Sequence, residues 1–245
     1  MSQHSKVAFI TGGNRGIGLQ TAKDLGKAGV TIVIGARDPG KAEAAVTELR
    51  QAGITAEAVA YDATRPETDR SVYAHLEKKY GHLDILINNA GMMNEDLLST
   101  TASTVGANAL RETFEINFFA VVRLTQTLLP LLKKSAAGRI VNLSSILGSL
   151  GVHSLPNSPI AQTKALGYNA SKTALNAFTV HLAAELAGTP IKVNSAHPGW
   201  VKTELGGKHA PMEIADGSKT SVRLALLGPD GPTGGFFHVE DTLPW

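Results

Sequence analysis

The chain has 245 residues, 43% of them hydrophobic and 18% charged, enough to bury a sizeable core as one α/β unit. Its formal net charge of +2 gives no support for a broad nucleic-acid or membrane surface. Cysteine is absent, which excludes disulfides, thiolate metal sites and cysteine nucleophiles, and fits a reducing compartment.

The first residues, "MSQHS", are mostly polar and lead straight into the apolar run "KVAFIT" (6–11), without the apolar core or cleavage site of a signal peptide. A soluble, cytoplasmic protein is expected. The apolar run reads as a strand. After it, "GGNRGIG" sets Gly12, Gly16 and Gly18 at the start of a helical pattern over 16–28. Glycine permits a tight turn and close backbone approach, and a helix N-terminus offers free N–H groups and a positive dipole end. The turn is therefore a candidate pyrophosphate cradle; the plain alternative is a glycine-rich turn with no ligand. Its spacing, T-G-x-x-x-G-x-G, differs from the G-x-G-x-x-G of many dinucleotide-binding enzymes.

The second strand, "TIVIGA" (31–36), ends at Ala36 and is followed by Arg37. A carboxylate closing this strand would bind the ribose 2′-hydroxyl of NAD. Arg15 and Arg37 instead suit the extra phosphate of NADP, because arginine forms charge-assisted forks to phosphate. Solvated arginines are the alternative. Asp38 qualifies the choice: were the strand to end one or two residues later, it would contact a ribose and admit NAD.

Further along come a helix over 39–52, the strand "TAEAVAYD" (55–62), a helix over 67–80 and the strand "LDILINNAG" (83–91). A helix over about 108–134, the strand "GRIVNLSS" (138–145), a helix over 168–187 and the strand "IKVNSAHPG" (191–199) complete the alternation. The strands are near-continuous in apolar residues, as expected when both faces are covered. Strand and helix in turn predict an α/β fold: one domain over 1–245, a parallel sheet with helices on both faces. The apolar stretch "NFFAVVRLTQTLLPLLKK" is broken by Arg123, Gln126 and Pro130 and is not a membrane span. Two segments break the rhythm, 149–166 and 203–219. In an open parallel sheet they lie at strand carboxyl ends, where ligands bind. The first is expected to wall one side of the active site and the second to act as a substrate lid.

Four side chains invite a common account: Asn117, Ser145, Tyr168 and Lys172. In "YNASK" the tyrosine and lysine are one helical turn apart and share a face. A lysine cation beside a phenol favours the phenolate, so the Tyr168 pKa is expected to fall toward neutrality. Tyr168 would give a proton to a carbonyl oxygen as hydride arrives. Ser145, ending its strand, would hold the same oxygen. Lys172 would also hold the nicotinamide ribose, and Asn117 a water linking Lys172 to solvent. Each piece has a plain alternative, a chance pair on a helix or an ordinary serine turn. No cluster of His, Asp or Glu has metal spacing, so no metal is expected.

"TGGNRGIG", "NNAG" at 88–91, the asparagine of "FEINFF", "GRIVNLSS", "YNASK" and "HPGWVKTEL" follow in an order that resembles the short-chain dehydrogenase/reductase superfamily over about residues 6–204. The resemblance implies a Rossmann-type, doubly wound sheet, a nicotinamide cofactor and a catalytic tetrad of Asn117, Ser145, Tyr168 and Lys172, with Ser144 the alternative serine. It implies cofactor contacts from Asn14 and Ile17 in the glycine turn and from Asp62 and Ala63 to adenine. Asn89, Ala90 and Gly91 are implied at a ribose, and Pro198, Gly199, Val201 and Thr203 on the carboxamide side. Ser145 and Tyr168 are 23 residues apart, about ten more than in the common family form. That insertion and the tryptophan ending resemble the carbonyl-reductase branch. In much of the family the helices near 108–134 and 168–187 pair subunits. The insertion would block that pairing, so a monomer is expected, with a homodimer the alternative.

Met92, Met93, Leu147, His153, Trp200 and Leu205 flank the motifs and are candidate pocket residues, or else plain core. No arginine stands where it would bind a substrate carboxylate, which points to an uncharged ketone or aldehyde. The expectation is an NADPH-dependent carbonyl reductase. The alternatives are an NAD-linked alcohol or polyol dehydrogenase on the same tetrad, and a non-catalytic cofactor-binding sensor.

Overall fold

The computed structural model describes residues 5–95 and 100–245, so the first four residues of the polar N-terminal stretch lie outside the described residues. The apolar runs form strands and the amphipathic runs form helices. In chain order they are β1 (Val7–Thr11), α1 (Gly16–Lys27), β2 (Thr31–Ala36), α2 (Pro39–Gln51), β3 (Ala56–Ala60), α3 (Glu67–Tyr80) and β4 (Ile85–Asn88). There follow α4 (Ala107–Phe114), a π-helical turn (Glu115–Phe119), α5 (Ala120–Leu132), β5 (Arg139–Leu143), a 3₁₀ turn (Ile146–Gly148), α6 (Leu150–His153), α7 (Leu166–Glu185) and β6 (Lys192–Ala196). Then come α8 (Ile214–Gly217), α9 (Lys219–Ala225), β7 (Phe236–His238) and β8 (Asp241–Thr242).

The eight strands form one sheet in the order β3-β2-β1-β4-β5-β6-β7-β8, a Rossmann-type arrangement. Strands β1 to β7 pair in parallel, and only β8 runs antiparallel, against β7. Alternate residues of β1 feed two cores. Val7 and Phe9 point into the layer of Leu76, Leu124, Leu128 and Leu182, from α3, α5 and α7. Ala8 and Ile10 point into the layer of Leu25, Val46, Leu49 and Leu224, from α1, α2 and α9. This two-sided burial is why the strands lack alternation. Each large aliphatic side chain so buried contributes roughly 1.5–3 kcal/mol.

Three features differ from the sequence reading. The tail "GGFFHVEDTLPW" supplies two more strands, too short to stand out as apolar runs. The helix expected over about 108–134 is interrupted by the π-helical turn at Glu115–Phe119. The segment 149–166 is not all loop, since Ser149 caps the short helix α6 by accepting from the Val152 N–H at 3.1 Å.

Candidate active site

The chain order reverses where β1 is flanked by β2 on one side and β4 on the other. Ligands of such sheets sit outside the strand carboxyl ends at this switch point. The two turns that meet there are latched together. Thr11 Oγ1 accepts the backbone N–H groups of Asn89 and Ala90, both at 3.0 Å. Asn89 Nδ2 donates to Thr11 O at 2.8 Å and Gly12 O at 3.2 Å. Gly12 has φ +63, and a Cβ on Gly18 would lie 2.4 Å from Gly12 O. Only glycine permits this fit between turn and helix. Arg15, the N-cap of α1, makes no side-chain cap bond, so no cap from it competes for the first N–H groups. A shaped glycine cradle with an uncapped helix end fits a pyrophosphate.

At the rim, β2 ends at Ala36, and the exposed Arg37 follows it. Asp38 is the N-cap of α2, with Oδ1 accepting the Lys41 N–H at 3.0 Å. Its carboxylate is committed to the helix, not placed to close β2. Arg15 pairs with the Glu204 carboxylate across from the glycine turn. Asp62 Oδ1 accepts from Thr64 N–H at 3.0 Å and Oγ1 at 2.8 Å, and Ala63 O accepts from Arg123 at 2.7 Å, so both are fixed beyond the end of β3. From the opposite side, Thr203 faces the glycine turn: a Cβ on Gly16 would meet its methyl at 3.7 Å. Val201 is buried, and a Cβ on Gly217 would touch both Val201 and Ile17. The loop from Pro198 through Gly199 to Thr203 thus packs over the turn that carries Asn14 and Ile17.

The tetrad side chains converge deeper in the cleft. Asn117 lies in the π-helical turn, a distortion frequent at functional sites. Its Oδ1 accepts the Met92 N–H at 2.8 Å, and its Nδ2 donates to Met92 O at 2.8 Å and to Ser171 Oγ at 3.0 Å. Both Nδ2 hydrogens are thus committed to protein partners, while Oδ1 keeps a second lone pair with which it could accept from a water. A Cβ on Gly91 would stand 3.3 Å from Asn117 Oδ1 and 3.4 Å from Lys172 Nζ, which places both beside Gly91. Lys172 Nζ donates to Leu143 O at 2.7 Å and lies 5.7 Å from the Tyr168 ring centroid.

Burial dominates the charges here. It pushes the Tyr168 phenol up to about 12, against the opposing pull of the Ser145 hydroxyl. It also pulls the Lys172 ammonium down to about 8. The expected fall of the Tyr168 pKa toward neutrality is thus not found. Lys172 points its proton at a carbonyl, and the low-dielectric surroundings disfavour the phenolate. Ser145 Oγ accepts the Leu147 N–H at 3.2 Å. Ser144 is buried behind it, with a long 3.5 Å contact to Lys172 O.

His153 is fixed in the loop, its ring 3.0 Å from Leu147 O and 3.0 Å from Lys164 Nζ. Met92, Met93 and Leu147 are half-buried, while Trp200 and Leu205 are 58% and 46% exposed and so are not plain core. Among the described residues no group of three His, Cys, Asp or Glu could hold a metal ion, and no helix is long and apolar enough to cross a membrane.

Three residues escaped the sequence reading. Glu204 pairs with Arg15. His197 Nδ1 accepts from Ile146 N–H at 3.3 Å and Gly199 N–H at 3.4 Å, tying the Ser145 turn to the Pro198–Gly199 turn. Glu95 Oε2 accepts the backbone N–H of Tyr168 at 2.7 Å. The first two sit inside quoted motifs, which was the only signal they gave.

The chain matches the short chain dehydrogenase family over residues 6–214. It is 31% identical to carbonyl reductase [NADPH] 1 of Mus musculus, with 100% of both chains covered. The structure superposes on NADPH-bound carbonyl reductase from chicken fatty liver with a TM-score of 0.85 at 26% identity, covering 98% of this chain and 99% of that one. It is similar also to carbonyl reductase Sniffer of D. melanogaster, with TM-score 0.84, 29% identity, and 99% and 100% of the two chains covered.

Proposed function

Because this chain belongs to the short-chain dehydrogenase family, we propose that it reduces uncharged ketones or aldehydes to alcohols with NADPH, using Tyr168 as the proton donor. NADP(H) is the cofactor, and carbonyl reduction is the class of reaction. When bound, the cofactor supplies the hydride that reaches the carbonyl carbon. Every other task falls to the chain. Gly12, Gly16 and Gly18 with the uncapped start of α1 take the pyrophosphate. Arg37, and Arg15 once it exchanges Glu204 for phosphate, take the 2′-phosphate. Lys172 holds the nicotinamide ribose, and Asn89 to Gly91 with Val201 and Thr203 shape the remaining walls.

The observation that carries the reading is the buried convergence of Tyr168, Lys172 and Asn117, with Lys172 Nζ 5.7 Å from the Tyr168 ring centroid and beside Asn117 Oδ1 at Gly91. A tyrosine phenol is protonated at neutral pH, the form a proton donor needs. Ser145 orients it and holds the carbonyl oxygen as charge develops there. Met92, Met93, Leu147, Trp200 and Leu205 offer an apolar approach, suited to an uncharged substrate. Residues 149–166 wall one side, and 203–219 serve as the lid. Replacing Tyr168 with Phe removes the donor and keeps the ring. Turnover of simple ketones and aldehydes should fall by at least about 100-fold, the scale of general acid catalysis. NADPH binding, followed by fluorescence, should persist. A Tyr168→Phe enzyme with most of its turnover would overturn the assignment.

A further inference from the structure

We propose that Glu95 is a positioning residue for the reaction: its carboxylate caps α7 at the backbone N–H of Tyr168 and so fixes where the phenol stands. The inference rests on the reading of Tyr168 as the proton donor. A helix begins with N–H groups that have no intrahelical partner. The usual remedy is a Ser, Thr, Asp or Asn at the N-cap, whose oxygen accepts from the second or third helical residue. In α7 the N-cap is Ala165, which makes no side-chain cap bond. Tyr168 is the third helical residue, and its N–H is served instead by Glu95 Oε2 at 2.7 Å, from 73 residues away. That length is typical of a charge-assisted bond, and a negative charge at a helix N-terminus is favourable.

Two further observations show the contact to be built in. A Cβ on Gly167 would lie 2.9 Å from Glu95 Oε2 and 3.1 Å from Leu110 Cδ2, so glycine there leaves room for the carboxylate. The segment that delivers Glu95 is itself held. Met92 is bound through both N–H and C=O by Asn117, each at 2.8 Å, and Asn94 Nδ2 donates to Glu112 Oε2 at 2.6 Å. Residues 92–95 therefore form a strap whose two ends rest on two of the tetrad residues, Asn117 and Tyr168. Because the capped residue is the proton donor itself, loosening the first turn of α7 moves the phenol. Displacements of about 1 Å can cost about 100-fold in rate.

The test compares Glu95→Gln, which keeps an acceptor oxygen, with Glu95→Ala, which does not. Both are assayed with NADPH and a simple ketone that the unmodified enzyme reduces. Glu95→Gln should keep kcat within about threefold, while Glu95→Ala should lose about tenfold or more in kcat, with the NADPH Kd within about twofold. Hydrogen exchange at the Tyr168 amide should quicken in Glu95→Ala and not in Glu95→Gln. Should Glu95→Ala not fold, Glu95→Asp withdraws the oxygens by one methylene and carries the same expectation. Equal kcat losses in the Gln and Ala variants, or an unchanged Tyr168 amide in Glu95→Ala, would sink the proposal. The amide measurement does not depend on catalysis, and Tyr168→Phe run alongside separates a failure at Glu95 from a failure of the Tyr168 reading.

Discussion

Individual side chains in this cleft are governed more by burial than by their charged neighbours. Tyr168 and Lys172 are 8% and 4% exposed, and each is pushed toward its neutral form. The one-turn spacing was legible in the sequence, but the Leu143 carbonyl that accepts the hydrogen bond from Lys172 was not. In the proposed reading, cofactor choice falls to single residues at the rim. Ala36 leaves the end of β2 without an acid, and Asp38 is occupied in capping α2. Replacing Ala36 with Asp and Arg37 with Ala adds a repelling carboxylate and removes a phosphate partner. A lost charge-assisted bond is worth about 1.5–3 kcal/mol, so the ratio of kcat/KM for NADPH over NADH should fall by at least about tenfold. An unchanged ratio would mean that the 2′-phosphate is read elsewhere.

Among the elements, the segment between the 3₁₀ turn and α7 behaves as a built part of the fold. His153 reaches back to Leu147 O, Asn169 Nδ2 donates to Thr163 O at 3.0 Å, and Gly151 N–H donates to Trp245 O at 2.7 Å. These bonds tie the segment to the Ser145 turn, to α7 and to the end of the described chain. The sequence places it beside the face between α5 and α7. That groove is lined by Phe118, Val122, Ala174, Phe178 and Leu182 among others, and none of its lining residues falls in 149–166. The segment therefore does not line that groove. Shortening the segment by about ten residues should lower kcat or alter substrate range while NADPH affinity, which the proposed reading places at Gly12 to Gly18, is kept. The sedimentation mass should not change. A rise in mass would show that the segment guards the groove after all.

For the whole molecule, one contribution to acid stability comes from His197, where two turns of the candidate site meet. Burial, with a smaller push from His238 at 5.0 Å between ring centroids, lowers its pKa from 6.5 to about 3. The unfolded chain takes up a proton below 6.5 that the fold refuses. Stability from this group is complete above about 6.5 and is lost as pH falls toward 3, at up to about 1.4 kcal/mol per pH unit. In urea titrations between pH 7 and 4, the lead of the unmodified protein over His197→Asn should shrink steadily. A constant lead across that range would show that His197 accepts the proton in the fold.

Local pattern alone determined the first six strands, the main helical stretches, the parallel sheet and the glycine turn. These follow from which residues are apolar, at what period, and where glycine stands, and all three are properties of adjacent residues. The order of the tetrad motifs was legible for the same reason. What only the tertiary structure decided are the contacts between distant segments: Glu95 at the head of α7, Glu204 on Arg15, and His197 between two turns. The same holds for the two tail strands: β7 forms on the edge that β6 offers, and β8 on the edge of β7. Burial decided the remainder, because it depends on how much protein surrounds a group once the layers close. It set Tyr168 near 12 and Lys172 near 8, where the spacing of "YNASK" had pointed the tyrosine the other way.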